Sequence, residues 1–126
     1  MKRLETTILK NLIFNEDYTR KIIPFLKLEY FTDSTEKILF TEINEHIQQF
    51  KHLPTYESLI INFTESRKLT EEQVRNTIEM VREINADKEE PTDIDWLIKQ
   101  TEKFCQDKAI YNAIMKSVKI LDDKEN

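Results

Sequence analysis

Glycine is absent from this 126-residue chain. That excludes the glycine-rich phosphate loops of nucleotide-binding folds, whose backbone must approach a phosphate closely. It also removes the residue that most tight hairpins use to reach positive φ. Proline is scarce, with Pro24, Pro54 and Pro91 only. The single cysteine, Cys105, has no partner for an internal disulfide, so the fold does not rest on bridges and suits a reducing compartment. No run of about 18 apolar residues exists, so no membrane-spanning segment is expected. The Met1-Lys2-Arg3 start has the charge of a signal peptide. Glu5, Lys10 and Asn11 interrupt the apolar run that should follow, so none is expected.

What is present is charge and helical periodicity. Charged residues make up 34% and apolar residues 39%, with a net charge of −5. A 15.2 kDa chain of this kind forms one ordinary domain with a real core. The acidic balance argues against a basic nucleic-acid face and favours a protein partner. Apolar residues recur at three and four, which predicts an all-α fold. Leu4, Ile8, Leu12 and Ile13 mark a first helix. Asn15-Glu16-Asp17 opens a second, carrying Tyr18, Ile22 and Ile23 and ending at Pro24. Residues 25–31 read as a compact apolar connector with one short helical turn. Asp33 or Ser34 caps a third helix reaching about Lys51, with Ile38, Phe40, Ile43, Ile47 and Phe50 inward. Thr55 caps a fourth, burying Leu59, Ile60 and Phe63, and Thr70 with Gln73 forms a capping box for a fifth. Thr92 with Asp95 signals the start of the longest helix, from about Asp93 to Leu121.

That last helix is the most informative element. Ile94, Leu97, Thr101, Phe104, Lys108, Tyr111, Met115 and Val118 alternate at three and four, a coiled-coil type of seam. A second line runs through Ile98, Cys105, Ala109, Ala113 and Ile120, joined by Ile110, Ile114 and Leu121. A helix apolar on several sides is buried on several sides. The expected organisation is therefore a helical globular subdomain over residues 1–91 and a long helix over 92–126. One reading packs that helix along the first five. The other docks its end against another helix or subunit, and Leu97, Phe104, Tyr111, Ile114, Val118 and Leu121 are the expected interface residues.

No catalytic constellation emerges. Glu42 and His46 share a helix face at a spacing that can ligate metal, but two ligands do not make a site. Cys105 lies in an apolar stripe, as a core thiol does. Tyr30, Phe31, Phe40 and Phe25 suggest a base-stacking platform, yet their spacing suits core packing better. Two basic groups, Lys2 with Arg3 and Lys10, and Arg20 with Lys21 and Lys27, read chiefly as solubilising charge.

The order of these features resembles a known family. Leu12-Ile13-Phe14, then Tyr18 and Pro24, Glu29-Tyr30-Phe31, Phe40 with Ile43, and Leu53-Pro54-Thr55 before Leu59 resemble the N-terminal domain of DnaB-type replicative helicases. Trp96-Leu97-Ile98-Lys99, Thr101-Glu102-Lys103-Phe104, Gln106, Ala109 and Asn112-Ala113 are similar to the first hairpin helix of the replicative helicases of T-even-like phages. The resemblance implies a helical globule followed by a hairpin that pairs between subunits. It implies a collar over a hexameric ring, with primase and helicase loader as partners, in the cytoplasm of a phage-infected bacterium. ATP and Mg would belong to a RecA-like motor that this chain lacks, so the chain itself is expected to bind no cofactor and catalyse nothing. Direct nucleic-acid contact is expected to be weak or absent. Only the first arm of the hairpin is present in the sequence. The alternative is a stand-alone all-α interaction protein, such as a helicase loader or a module that captures a host factor.

Overall fold

Without glycine, every helix end has to be made by other means. The computed structural model describes residues 3–125 and shows how. Helix α1 (Leu4–Phe14) stops at Asn15, whose side chain accepts from the Tyr18 backbone N–H and so starts α2 (Glu16–Ile22). One residue thus ends one helix and begins the next. A single 3-10 turn follows at Leu28–Tyr30. Asp33 caps α3 (Ser34–Phe50), accepting from the Glu36 N–H. Helix α3 ends at Lys51, the one residue with positive φ among those described, at 64°. A left-handed C-cap is usually glycine, and a side chain there is strained.

Two capping boxes follow. Thr55 with Ser58 opens α4 (Tyr56–Glu65), and Thr70 with Gln73 opens α5 (Glu71–Ala86). The second was legible from the sequence; the reciprocal Ser58 bond was not. Helix α6 (Ile94–Glu125) has 32 residues, which is about 48 Å at 1.5 Å per residue. Its cap is Asp93, which accepts from the Trp96 N–H, and not Thr92. Thr92 instead accepts from the Asn11 side chain at 3.2 Å.

Helix α1 is the centre of the globule. Ile8, Leu9, Leu12 and Ile13 are buried, and so are Lys10 and Asn11. Lys10 spends its charge inside: its ammonium donates to the Glu90 carbonyl at 2.8 Å and lies 3.6 Å from the Asp87 carboxylate. With the Asn11–Thr92 bond, this latches the loop before α6 onto α1. Thr19 holds the α1–α2 corner, its hydroxyl within 2.8–3.2 Å of the Asn11, Leu12 and Asn15 carbonyls. Phe31 joins the layers, with ring centroids 5.0 Å from Phe40 and 5.8 Å from Phe104.

Some expected core positions face solvent. Phe50 is 51% exposed and Ile38 and Ile47 are only partly buried, because the buried face of α3 runs through Glu36, Leu39, Phe40 and Ile43. The connector is split: Leu26, Tyr30 and Phe31 point into the core, while Phe25 and Leu28 point out. The burial of Tyr30, Phe31 and Phe40 removes three of the four aromatics that a stacking platform would have used. Among the described residues no strand is present, and no helix is long and apolar enough to cross a membrane.

Candidate interaction surface

The apolar packing of helix α6 against the globule is confined to its first turns. Leu97 and Thr101 are fully buried and Phe104 is 8% exposed. The Thr101 hydroxyl donates to the Leu97 carbonyl at 2.7 Å, which leaves its oxygen to accept from the Tyr18 hydroxyl, also at 2.7 Å. Burial pushes the Tyr18 hydroxyl pKa up, against the smaller opposing effect of the Thr101 bond, so this phenol stays a neutral donor. Burial also pushes the half-buried Cys105 thiol up, which keeps it unreactive. Two polar contacts mark the edge of the globule. The Asn112 side chain donates to the Glu29 carbonyl at 3.3 Å, and Lys116 lies 3.7 Å from the Glu29 carboxylate.

Beyond that edge the helix stands free. Every residue from 113 to 124 is exposed. Five of the large apolar residues near and beyond the edge, Ile110, Tyr111, Ile114, Val118 and Leu121, are 45–61% exposed. At 100° per residue these five fall within about 100° of the helix circumference. Leu97, Thr101, Phe104 and Lys108 define a line facing the globule, and the free stripe is rotated from it by roughly a quarter-turn. Ile120 lies on the opposite side, with Ala109 and Ala113. The apolar excess of α6 is therefore two faces in succession: one used inside the chain, the next left uncovered.

This sorts the six expected interface residues. Tyr111, Ile114, Val118 and Leu121 lie together on the free stripe. Leu97 and Phe104 do not join them; they are buried against the chain's own core, Phe104 beside Phe31, and present no surface. The sequence signal for that split was available in the change of angular position along the helix. Ile110, absent from the expected set, is on the stripe.

Other groups singled out from the sequence sit among local neighbours, and the buried His46 Nε2 has no hydrogen-bond partner among the described residues. The Glu42 carboxylate accepts from the Asn62 side chain at 2.8 Å. His46 packs at 4.7 Å from the Phe50 ring and 5.3 Å from the His52 ring. Its pKa is lowered by burial first and then by the neighbouring His52, with Glu42 opposing. Among the described residues no three His, Cys, Asp or Glu side chains come together to hold a metal. Of the basic groups, Arg3 pairs with Glu36 and Glu5, Arg20 with Glu16, and Lys10 is buried; Lys2 lies outside the described residues.

No family model matches the chain. Over 118 residues it is 30% identical to a DnaB-like replicative helicase of Enterobacteria phage T4. The match takes in 94% of this chain and 24% of that protein, so the chain spans about a quarter of the relative's length. This similarity supports a relationship to DnaB-like replicative helicases.

Proposed function

We propose that this chain is the N-terminal collar segment of a phage hexameric replicative helicase of the DnaB type. Its work is assembly: the free stripe of α6 pairs with another helix of the ring, and the finished collar docks primase or the helicase loader during DNA replication. The uncovered stripe of Tyr111, Ile114, Val118 and Leu121 carries the reading. An apolar face of this kind on a soluble chain marks a contact with another protein surface. The similarity to a much longer phage helicase supports the same reading.

The chain itself is non-catalytic in this proposal. A Gly-x-x-x-x-Gly-Lys loop cannot be written without glycine. ATP and Mg belong to the motor of the longer protein, which acts in the cytoplasm of the infected bacterium. Two measurements test the proposal. The intact mass of the native gene product should be several times 15.2 kDa; a native product at 15.2 kDa overturns the helicase reading and leaves a stand-alone interaction protein. In the long product, Tyr111→Asp with Val118→Asp should abolish ring assembly while the helical circular dichroism is retained. Unimpaired rings would remove the stripe from the interface.

A further inference from the structure

Far from the α6 stripe, a cleft of about 390 Å³ lies between α2 and the corner where α3 gives way to α4. That volume is in the range of ligand-binding clefts. Its floor is aliphatic and comes from three segments: Ile23 after α2, Ile47 of α3 and Leu53 of the connector. All three are half-buried, so water still reaches them. Its rim is cationic. Arg20 and Lys51 stand on it against the single carboxylate of Glu16, which is already held by Arg20 at 2.7 Å. Lys51 makes no ion pair among the described residues. In a chain of net charge −5 this excess of cations is a local feature.

His52 forms one wall and is held in place. Its Nδ1 donates to the Leu53 carbonyl at 3.0 Å, and its ring stacks on Phe50 at 6.0 Å and meets the His46 ring at 5.3 Å. A wall fixed in advance lowers the ordering cost of binding. Lys51 is the unusual member. It holds the left-handed conformation, φ 64°, at the C-cap of α3. Glycine suits that position best and asparagine next. The chain lacks glycine but has asparagine, with Asn15 at another helix boundary. A lysine here costs backbone strain, and strain of this kind gathers at functional sites. A cation at the end of α3 also meets the helix dipole, a role that stability measurements separate from binding.

From this charge complementarity we infer that the cleft binds an acidic peptide segment of another protein. A large apolar side chain seats on Ile23, Ile47 and Leu53. Flanking carboxylates meet Lys51 and the Arg20 donors that Glu16 leaves unused. Glu16 engages one guanidinium nitrogen of Arg20, whose fork carries five N–H donors. The cleft is open to solvent, which suits a segment crossing it. A nucleic-acid strand fits less well. Two cations neutralise few phosphates, and the floor is aliphatic where bases would stack on aromatic rings.

The test is fluorescence polarisation of a labelled Asp-Asp-Leu-Phe-Asp-Asp peptide titrated with the 126-residue chain. It should bind, and added salt should weaken it. A peptide with serine for Leu and Phe should bind at least about tenfold more weakly. Lys51→Gly should weaken binding about fivefold while the thermal midpoint holds or rises. Gln48→Glu, an exposed change on the same rim, should weaken binding in the same way. Absence of binding overturns the inference, and so does binding that ignores both substitutions. Should Lys51→Gly lower midpoint and binding together, Gln48→Glu decides, and unchanged binding there overturns the inference. A labelled oligothymidine that displaces the peptide overturns it in favour of nucleic acid. A dimer of the chain that Gln48→Glu dissolves overturns it in favour of a second copy. None of these variants alters α6, so the stripe's role in assembly stands or falls separately, by Tyr111→Asp with Val118→Asp.

Discussion

The two halves of α6 have similar composition and opposite surroundings. From Ile94 to Lys108 the helix carries Leu97, Thr101 and Phe104 against α2 and the 3-10 turn, and every buried polar atom there has a partner. From Ala109 onward it carries more large apolar side chains and buries none of them. Intrinsic propensity does not separate the halves, since both are uninterrupted helix to Glu125. What differs is whether the globule reaches them. The first half is part of a core; the second is a core face whose other side is supplied elsewhere.

The sharpest way to break that comparison is to truncate the same residue type in each half. Leu97→Ala deletes a fully buried side chain and should cost about 2–5 kcal/mol of stability, the lost burial plus the cavity left behind. Leu121→Ala, at 61% exposure, should change the stability of the dilute chain by less than about 0.5 kcal/mol. Urea denaturation at low protein concentration measures both. Equal costs would mean that the two halves are not distinct. At high concentration Leu121→Ala should acquire a cost of its own, because only the associated form uses it.

Next in size is the hydrogen bond that fixes α6 on α2. Thr101→Val keeps the shape and leaves the buried Tyr18 hydroxyl without an acceptor, at about 1–3 kcal/mol. Tyr18→Phe added to it should recover part of that loss, because both partners are then apolar. Denaturation of the two single variants and the double one gives the coupling directly. A purely additive result would show that the bond does not hold the helix.

This pair also shows what a sequence does and does not expose. The helix ends were legible because they are local: Asn15, Asp33, Thr55 and Thr70 cap where their side chains reach the backbone three residues on. The burial of Lys10 was not, because its partners Glu90 and Asp87 are far along the chain. Nor was the outward turn of Phe50 and Phe25, where periodicity names a face but not its neighbour. Where the six expected interface residues divide between core and free stripe is signalled by their angular position, but not where the globule stops covering them. The apolar pattern of α6 continues across the point at which the globule ends, and only the packing of the other helices sets that point.

Smaller effects probe how the covered half is closed off. Lys51→Gly should stabilise the chain by about 0.5–1 kcal/mol, since it relieves a side chain held at φ 64°. A rise in thermal midpoint is the readout. A loss would mean that the Lys51 side chain contributes more through its contacts beside His52 and Leu53 than its backbone costs.

The smallest expected effect concerns Glu36, the one carboxylate sealed inside the globule among the described residues. Glu36 is 1% exposed and is held by Arg3, whose guanidinium is half-exposed and lies 3.1 and 3.2 Å from its two oxygens. Burial raises the Glu36 pKa, and Arg3 pulls it back only in part. The folded state therefore keeps this proton to a higher pH than the unfolded chain does. The contribution of Glu36 to stability is complete below the unfolded carboxylate pKa. It is lost as pH rises through the folded value, leaving a constant cost above it. Glu36→Gln has no such titration. Relative to the natural chain, the variant should gain stability as pH rises from the ordinary carboxylate range through the raised folded value, and hold a small advantage above it. Chemical denaturation across that range gives the difference at each pH. A natural chain that instead gains on the variant as pH rises would mean that the Arg3 pair outweighs desolvation. The covered half would then be held by its charges as well as its packing.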